Sequence, residues 1–172
     1  MEKFTDKELK EIEDLIEAEK AKGNWEKVVT LKIQIAKSRG SRKRGWIKLT
    51  KSWLTSSINY RMMLDEQAVF SKLLVMSDEF GPVPGLISDN DFRPMPPEYL
   101  AHQACCPLEV LESVLKKAIQ DDSIFKNSHG LYLTHFDDYQ FTEYDRQKPY
   151  RDAKRAKDSS GHKFSHMVKD GE

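Results

Sequence analysis

The side chains with the plainest chemical capacity in this sequence are cations set in two runs. Residues 37–51 carry Lys37, Arg39, Arg42, Lys43, Arg44, Lys48 and Lys51 with no acid among them. Residues 146–157 carry Arg146, Lys148, Arg151, Lys154, Arg155 and Lys157 against Asp152 alone. Closely spaced ammonium and guanidinium groups displace counterions from a phosphate backbone, and that is the chemistry these runs support. The blander reading is a solvated linker and a solvated tail. Between the runs the balance reverses. Over residues 62–136, acids from Asp65 and Glu66 through Asp121 and Asp122 outnumber Lys72, Arg93, Lys116, Lys117 and Lys126. The formal net charge of zero therefore hides an acidic centre with basic flanks.

Groups suited to catalysis are sparse. GPVPG lacks the spacing and the following Lys-Ser/Thr of a phosphate-binding loop, and neither a nucleophile elbow nor HExxH occurs. Asp89 and Asp91 form a carboxylate pair, but in a Pro-rich stretch that reads as a connector. Cys105 and Cys106 are adjacent, which gives no disulfide framework and fits a reducing cytoplasm. His102 lies near them, yet a tetrahedral zinc site needs a second ligand pair. Small buried thiols at a helix turn are the expected role. No enzymatic activity, metal or cofactor is expected.

The 172 residues are 38% hydrophobic and 33% charged, enough for one core with solvated appendages. No apolar run reaches the ~18 residues of a membrane span. The start, MEKFTDKELK, has no apolar region of the signal-peptide kind, and a cytoplasmic location is expected.

The elements that must position these groups are mostly helical. Thr5 with Glu8 forms a capping-box pattern. Leu9, Ile12 and Ile16 follow at helical spacing, with Leu15 widening the stripe. Lys22-Gly23-Asn24 ends that helix. A second runs from Trp25 to Lys37 through Val28, Leu31 and Ile35, making a helical hairpin over 1–38. Its expected role is that of an add-on or an oligomerisation element. Residues 39–45 read as a basic linker. WIKLTKSWL fits either a helix or a strand. Met62 to Phe80 reads as a helix with Val69, Leu73, Met76 and Phe80 on one face, flanked by Phe70 and Leu74, stopped by Gly81-Pro82.

Val83 to Ser88 reads as a short extended piece. PEYLAHQA follows with Pro97 in its first turn, then a turn at Cys105-Cys106. Pro107 opens a helix whose buried face is Leu108, Leu111, Leu115 and Ile119, joined by Val110, Val114 and Ala118. Asp121-Asp122 ends it. Ser123 to Asn127 and Leu131 to Phe136 read as strands around the turn Asn127-Ser128-His129-Gly130. Residues 141–172 read as a basic extension and a disordered tail.

Helix, short strand, helix, turn, helix, hairpin is the order of a winged helix-turn-helix. The expected fold is mainly α with a small β-hairpin (α+β): a winged helix over 46–140, preceded by the N-terminal helical hairpin. The sequence resembles the N-terminal winged-helix domain of phage replisome organisers and DnaD-like replication initiators. The likeness lies in WIKL (46–49), EFGPVPGLIS (79–88), PEYLAHQACCPLEVLESVLKKAIQDDSIF (97–125), LYLTHFDDYQ (131–140) and YDRQKPYR (144–151). Phe136 stands where that family usually carries a Trp. The family's larger members add a C-terminal helical domain for single-stranded DNA and helicase-loader contacts, and no such domain is expected within these 172 residues. The N-terminal helical hairpin is not a family feature.

The resemblance implies a duplex-DNA-binding protein of replication initiation, acting as an oligomer and meeting replication proteins such as a helicase loader. On the residues themselves, the 107–120 helix would offer Lys116, Lys117 and Gln120 to phosphates or base edges. Glu109 and Glu112 suit its N-terminal dipole better than a phosphate-lined groove. The hairpin would offer Lys126, Asn127 and His129. Arg42, Lys43, Arg44, Lys48 and Lys51 would act as an arm, and Arg146, Lys148, Arg151, Lys154 and Arg155 as a basic extension. The rival readings are a transcriptional regulator and a protein-interaction module whose acidic surface never touches DNA.

Overall fold

Thr5 opens the first helix as expected. Its hydroxyl accepts the Glu8 N–H, and the Glu8 carboxylate accepts the Thr5 N–H at 2.8 Å. The computed structural model describes residues 4–39, 47, 49, 53, 55–139 and 150. The first compact unit ends at Tyr139, and of the second only Tyr150 is described, exposed to solvent. The linker, most of WIKLTKSWL and the basic extension lie outside the described residues.

Helix α1 spans Asp6–Ala21 and α2 spans Trp25–Arg39. Gly23 turns the chain between them at φ +69°, in open space. Glu19 organises that turn: it accepts Asn24 Nδ2 at 2.8 Å and pairs with Lys22 and Lys27. Its carboxyl is held below the ordinary range by the hydrogen bonds from Lys22 and Asn24. Leu9 and Ile16 are buried as expected, but Leu15 stays 39% exposed at the edge of the stripe.

A short helix α3, Ser57–Arg61, precedes α4, Leu64–Glu79. The expected Met62 start shifts because Glu66 reaches back to accept the Met63 N–H at 2.8 Å, fixing the helix entry there. Val69, Phe70, Leu73, Leu74 and Met76 form the buried face. After Gly81, strand β1 (Leu86–Ile87) leads through a loop to α5, Pro97–Ala104, with Pro97 in its first turn. Cys105 closes α5 in the left-handed region at φ 50°, and α6 runs Leu108–Gln120. The α6 face turns slightly from expectation: Leu111, Val114 and Ala118 are fully buried, while Ile119 is 39% exposed. Cys105 is exposed and Cys106 half-buried, so the expectation of buried thiols fails. The turn carries its left-handed residue with the side chain pointing outward.

Strands β2 (Ile124–Asn127) and β3 (Gly130–Leu133) form an antiparallel hairpin, with Asn127 paired to Gly130. Strand β1 pairs antiparallel to the other side of β3, giving the order β1-β3-β2. The second strand is shorter than expected. Thr134 Oγ1 donates to the Asp122 carbonyl, and Phe136–Tyr139 forms a helical turn, α7. The fold is mostly helical with one small three-stranded antiparallel sheet, an α+β arrangement.

The sheet is buried on both faces. Ile87, Ile124, Leu131 and Leu133 face a core built with α4, α5 and α6. Leu86 and Tyr132 face the other way, into a second core with Ile16, Val28, Val29, Leu31 and Ile33. The N-terminal helical hairpin is thus the cover of the outer sheet face and belongs to the same compact unit as the sheet. Tyr132 is completely buried there, its ring 6.1 Å from that of Trp25. No described helix is long and apolar enough to cross a membrane.

Candidate nucleic-acid interface

The surface with the chemistry anticipated above is the outer side of α6 together with β2. Helix α6 turns Leu111, Val114 and Ala118 inward, which directs Glu109, Glu112, Lys116 and Gln120 outward. Strand β2 buries Ile124 and exposes Lys126. Neither Lys116 nor Lys126 has a carboxylate partner among the described residues. Those two cations and the Gln120 amide are the expected groups that remain open to a ligand.

The other three described candidates are engaged within the fold. Lys117 donates to both oxygens of Glu66, at 2.7 Å and 2.6 Å. The Ser113 hydroxyl adds a third hydrogen bond to Glu66, at 2.6 Å. Hydrogen bonds from Lys117 and Ser113 bring the Glu66 carboxyl down to about 2. Asn127 is committed twice: its Oδ1 accepts the His129 N–H at 2.9 Å, and its Nδ2 donates to Glu26 of α2 at 3.1 Å. The His129 ring lies 3.1 Å, through Nδ1, from the Phe92 carbonyl. These residues shape the hairpin tip and anchor it. Arg42, Lys43, Arg44, Lys48, Lys51, Arg146, Lys148, Arg151, Lys154 and Arg155 lie outside the described residues.

The carboxylate pair of the connector also has a structural occupation. Asp89 Oδ1 accepts the N–H groups of Asp91 and Arg93, both at 2.8 Å, and so folds the loop before α5. His102 and Cys105 are exposed, and no group of three metal-ligating side chains occurs among the described residues.

Sequence reasoning missed the ionic cluster that ties α7, just beyond the hairpin, to the N-terminal helices. Asp137 in α7 accepts Lys20 of α1 at 2.7 Å and Lys32 of α2 at 2.8 Å. Burial alone pushes the Asp137 carboxyl up; the ammonium groups of Lys32 and Lys20 overcome this and hold it at about 2. Burial likewise opposes the charge on Lys32, and Asp137 restores it, leaving its pKa above the ordinary value. The Lys32 ammonium also lies 5.2 Å from the centre of the Tyr132 ring. A signal was present in GLYL: an apolar residue at every position of a strand marks burial on both faces. That pattern called for a second layer, and the amphipathic N-terminal helices were the segment able to supply it.

Among the described residues, this surface pairs no nucleophile with a base. It is elongated and polar: an acidic start to α6, a basic and amide end, and a cation on the adjoining hairpin. No family model, curated protein or solved structure matches the chain.

Proposed function

We propose that the chain is a DNA-binding protein of the winged helix-turn-helix type. Helix α6 serves as the helix presented to the groove, and β2–β3 serves as the wing. The observation that carries this reading is the element order α4–β1–α5–turn–α6–β2–β3 with the sheet order β1-β3-β2. That order sets Lys116 and Gln120 on the outer side of α6, and the hairpin that follows carries Lys126. Lys116 and Lys126 contribute phosphate contacts, and Gln120 is suited to a base edge. The basic runs at 37–51 and 146–157 supply further phosphate neutralisation in this reading. A replication-initiation role in a phage or prophage setting rests on the resemblance to replisome organisers and DnaD-like initiators. Duplex DNA is the proposed ligand.

A second reading, a protein-interaction module, draws on one observation: Glu109 and Glu112 are exposed on the first turns of α6, and Lys117 is neutralised by Glu66. Titrating labelled duplex DNA at several salt concentrations separates the two. The DNA reading expects log Kd to rise linearly with log salt, with a shallower slope after Arg42, Lys43 and Arg44 become Ala. Absence of binding near ~50 mM salt sinks it.

A further inference from the structure

Beside the β2–β3 hairpin the core stops short of the surface and leaves a cavity of about 320 Å³. Its floor is Ile87 and Leu131, which face each other across β1 and β3. Leu100 of α5 and Leu115 of α6 add two more apolar side chains. The remaining wall is the segment Pro94-Met95-Pro96-Pro97. Three prolines fix φ along it, and Pro96 is extended at φ −58° and ψ 137°. So stiff a segment does not fold inward to fill the space. Proline also lacks an N–H, so Met95 alone can donate from this wall. Water in the cavity finds few partners there, and an apolar occupant finds many contacts.

One charged side chain reaches the rim. Ile124 of β2 faces the core built with α4, α5 and α6, and Lys126 stands two residues on, on the same sheet face. Its stem lines the cavity and the residue is exposed, as suits a long side chain that covers apolar surface and keeps its ammonium in water. Among the described residues no carboxylate lines the cavity or pairs with Lys126. Asn127, the next residue, is already taken: its amide donates to Glu26 of α2 and accepts the His129 N–H.

From this geometry we infer that the cavity is a binding site for a small amphipathic monocarboxylate, its apolar body on Ile87, Leu115 and Leu131 and its carboxylate at Lys126. The volume sets the size. At ~30 Å³ for each non-hydrogen atom, 320 Å³ holds about ten, the number in an eight-carbon acid. The sign of the head group follows from Lys126 as the only charged residue of the lining. Lys126 is also a proposed phosphate contact, so a bound carboxylate takes that ammonium from DNA. The site itself does not rest on the DNA reading, and its test contains no nucleic acid.

The test is a calorimetric titration of the full chain with octanoate, beside 1-octanol and octylammonium, which keep the apolar body and change the head. Octanoate should saturate one site with a Kd on the order of 100 μM, a scale suited to ten non-hydrogen atoms. Octanol should bind about fivefold more weakly, the scale of an ion pair at a solvent-open rim. Lys126→Met should bring octanoate down to the octanol value. Lys126→Glu should reverse the order, with octylammonium binding more tightly than octanoate. Both replacements are at an exposed position, so melting temperatures should not change. Amide shifts on octanoate addition should centre on Ile87, Leu115 and Leu131. No saturation below about 5 mM overturns the inference, as does octanol binding as tightly as octanoate. So does an order of ligands that Lys126→Glu leaves unchanged, or shifts centred elsewhere. A doubled chain mass that octanoate reverses would assign the cavity to a second copy and overturn it too.

Discussion

Lys117 holds both carboxylate oxygens of Glu66, a residue 51 positions earlier, at 2.6 Å and 2.7 Å. The pair joins the entry of α4 to the last turn of α6. It turns a side chain that looks like a groove contact into a strut between two helices, and it separates Lys117 from its neighbour Lys116.

Lys117→Met should therefore cost about 1–2 kcal/mol of folding stability, the scale of hydrogen bonds to a charged group. It should leave the salt slope of DNA binding unchanged. Lys116→Ala and Lys126→Ala should do the opposite: unchanged melting temperature, and a salt slope shallower by about 1 for each. Denaturant melts beside salt-dependent titrations of the three variants check this. The pair also predicts acid behaviour. The Glu66 carboxyl lies near 2, below its ordinary 4.5. Its stabilisation is complete above pH 4.5 and disappears as pH falls toward 2, because protonation then favours the unfolded chain. Glu66→Gln should flatten that part of the stability–pH curve.

Asp137 should behave as the fastener of the N-terminal helices. Asp137→Asn leaves the buried Lys32 ammonium and that of Lys20 without their shared carboxylate. Breaking a buried ion pair is costly, but Asp137 keeps 39% of its side chain exposed, so the expected loss is about 2 kcal/mol. Lys32→Met in the same chain should recover part of it. Hydrogen exchange should show α1 and α2 losing protection before α4 and α6 do. A uniform loss across all four helices would contradict this assignment.

Cys105 ends α5 with φ 50° and ψ 49°, a conformation that costs a side-chain-bearing residue roughly 1–2 kcal/mol. Its thiol is exposed, so little packing is lost on removal. Cys105→Gly should stabilise the fold by about 0.5–1 kcal/mol after the entropy of glycine in the unfolded chain is deducted. Equilibrium unfolding of the two chains gives the sign directly.

Gly130 is the opposite case. A Cβ there would stand 2.2 Å from the Ile87 carbonyl oxygen, at φ +136°. Gly130→Ala should destabilise by more than about 2 kcal/mol and detach β1 from β3, seen as loss of amide protection at Ile87 and Leu131, which face each other across the two strands.

The helices were legible in the sequence because their signals are local. The Thr5–Glu8 box, the Pro97 start and the Leu111/Val114/Ala118 spacing all lie within a few residues of the feature they specify. Helix α3 was not legible, since it leans on a partner far along the chain: the Ser57 hydroxyl and Arg61 both bind Asp121. The strand end at Phe136 was misplaced for a similar reason, as Thr134 bonds back to Asp122 and turns the chain early. At the candidate interface, residue type identified six described polar side chains but not their engagement. Lys116 and Lys117 are adjacent and chemically alike; only the position of Glu66 distinguishes them. By residue type Asn127 and His129 offer themselves outward, whereas Glu26 and the Phe92 carbonyl hold them.

The covering of Tyr132 by α1 and α2 has a consequence during synthesis. Those helices leave the ribosome before the sheet does, with Val28 and Val29 on a face whose partner strand is still to be made. The partner strand is made about a hundred residues later, and the Lys32–Asp137 contact spans 105 positions. Such distant closures slow folding. The nascent chain therefore carries an open apolar face until β3 emerges, which leaves the helical hairpin accessible to a chaperone for that interval.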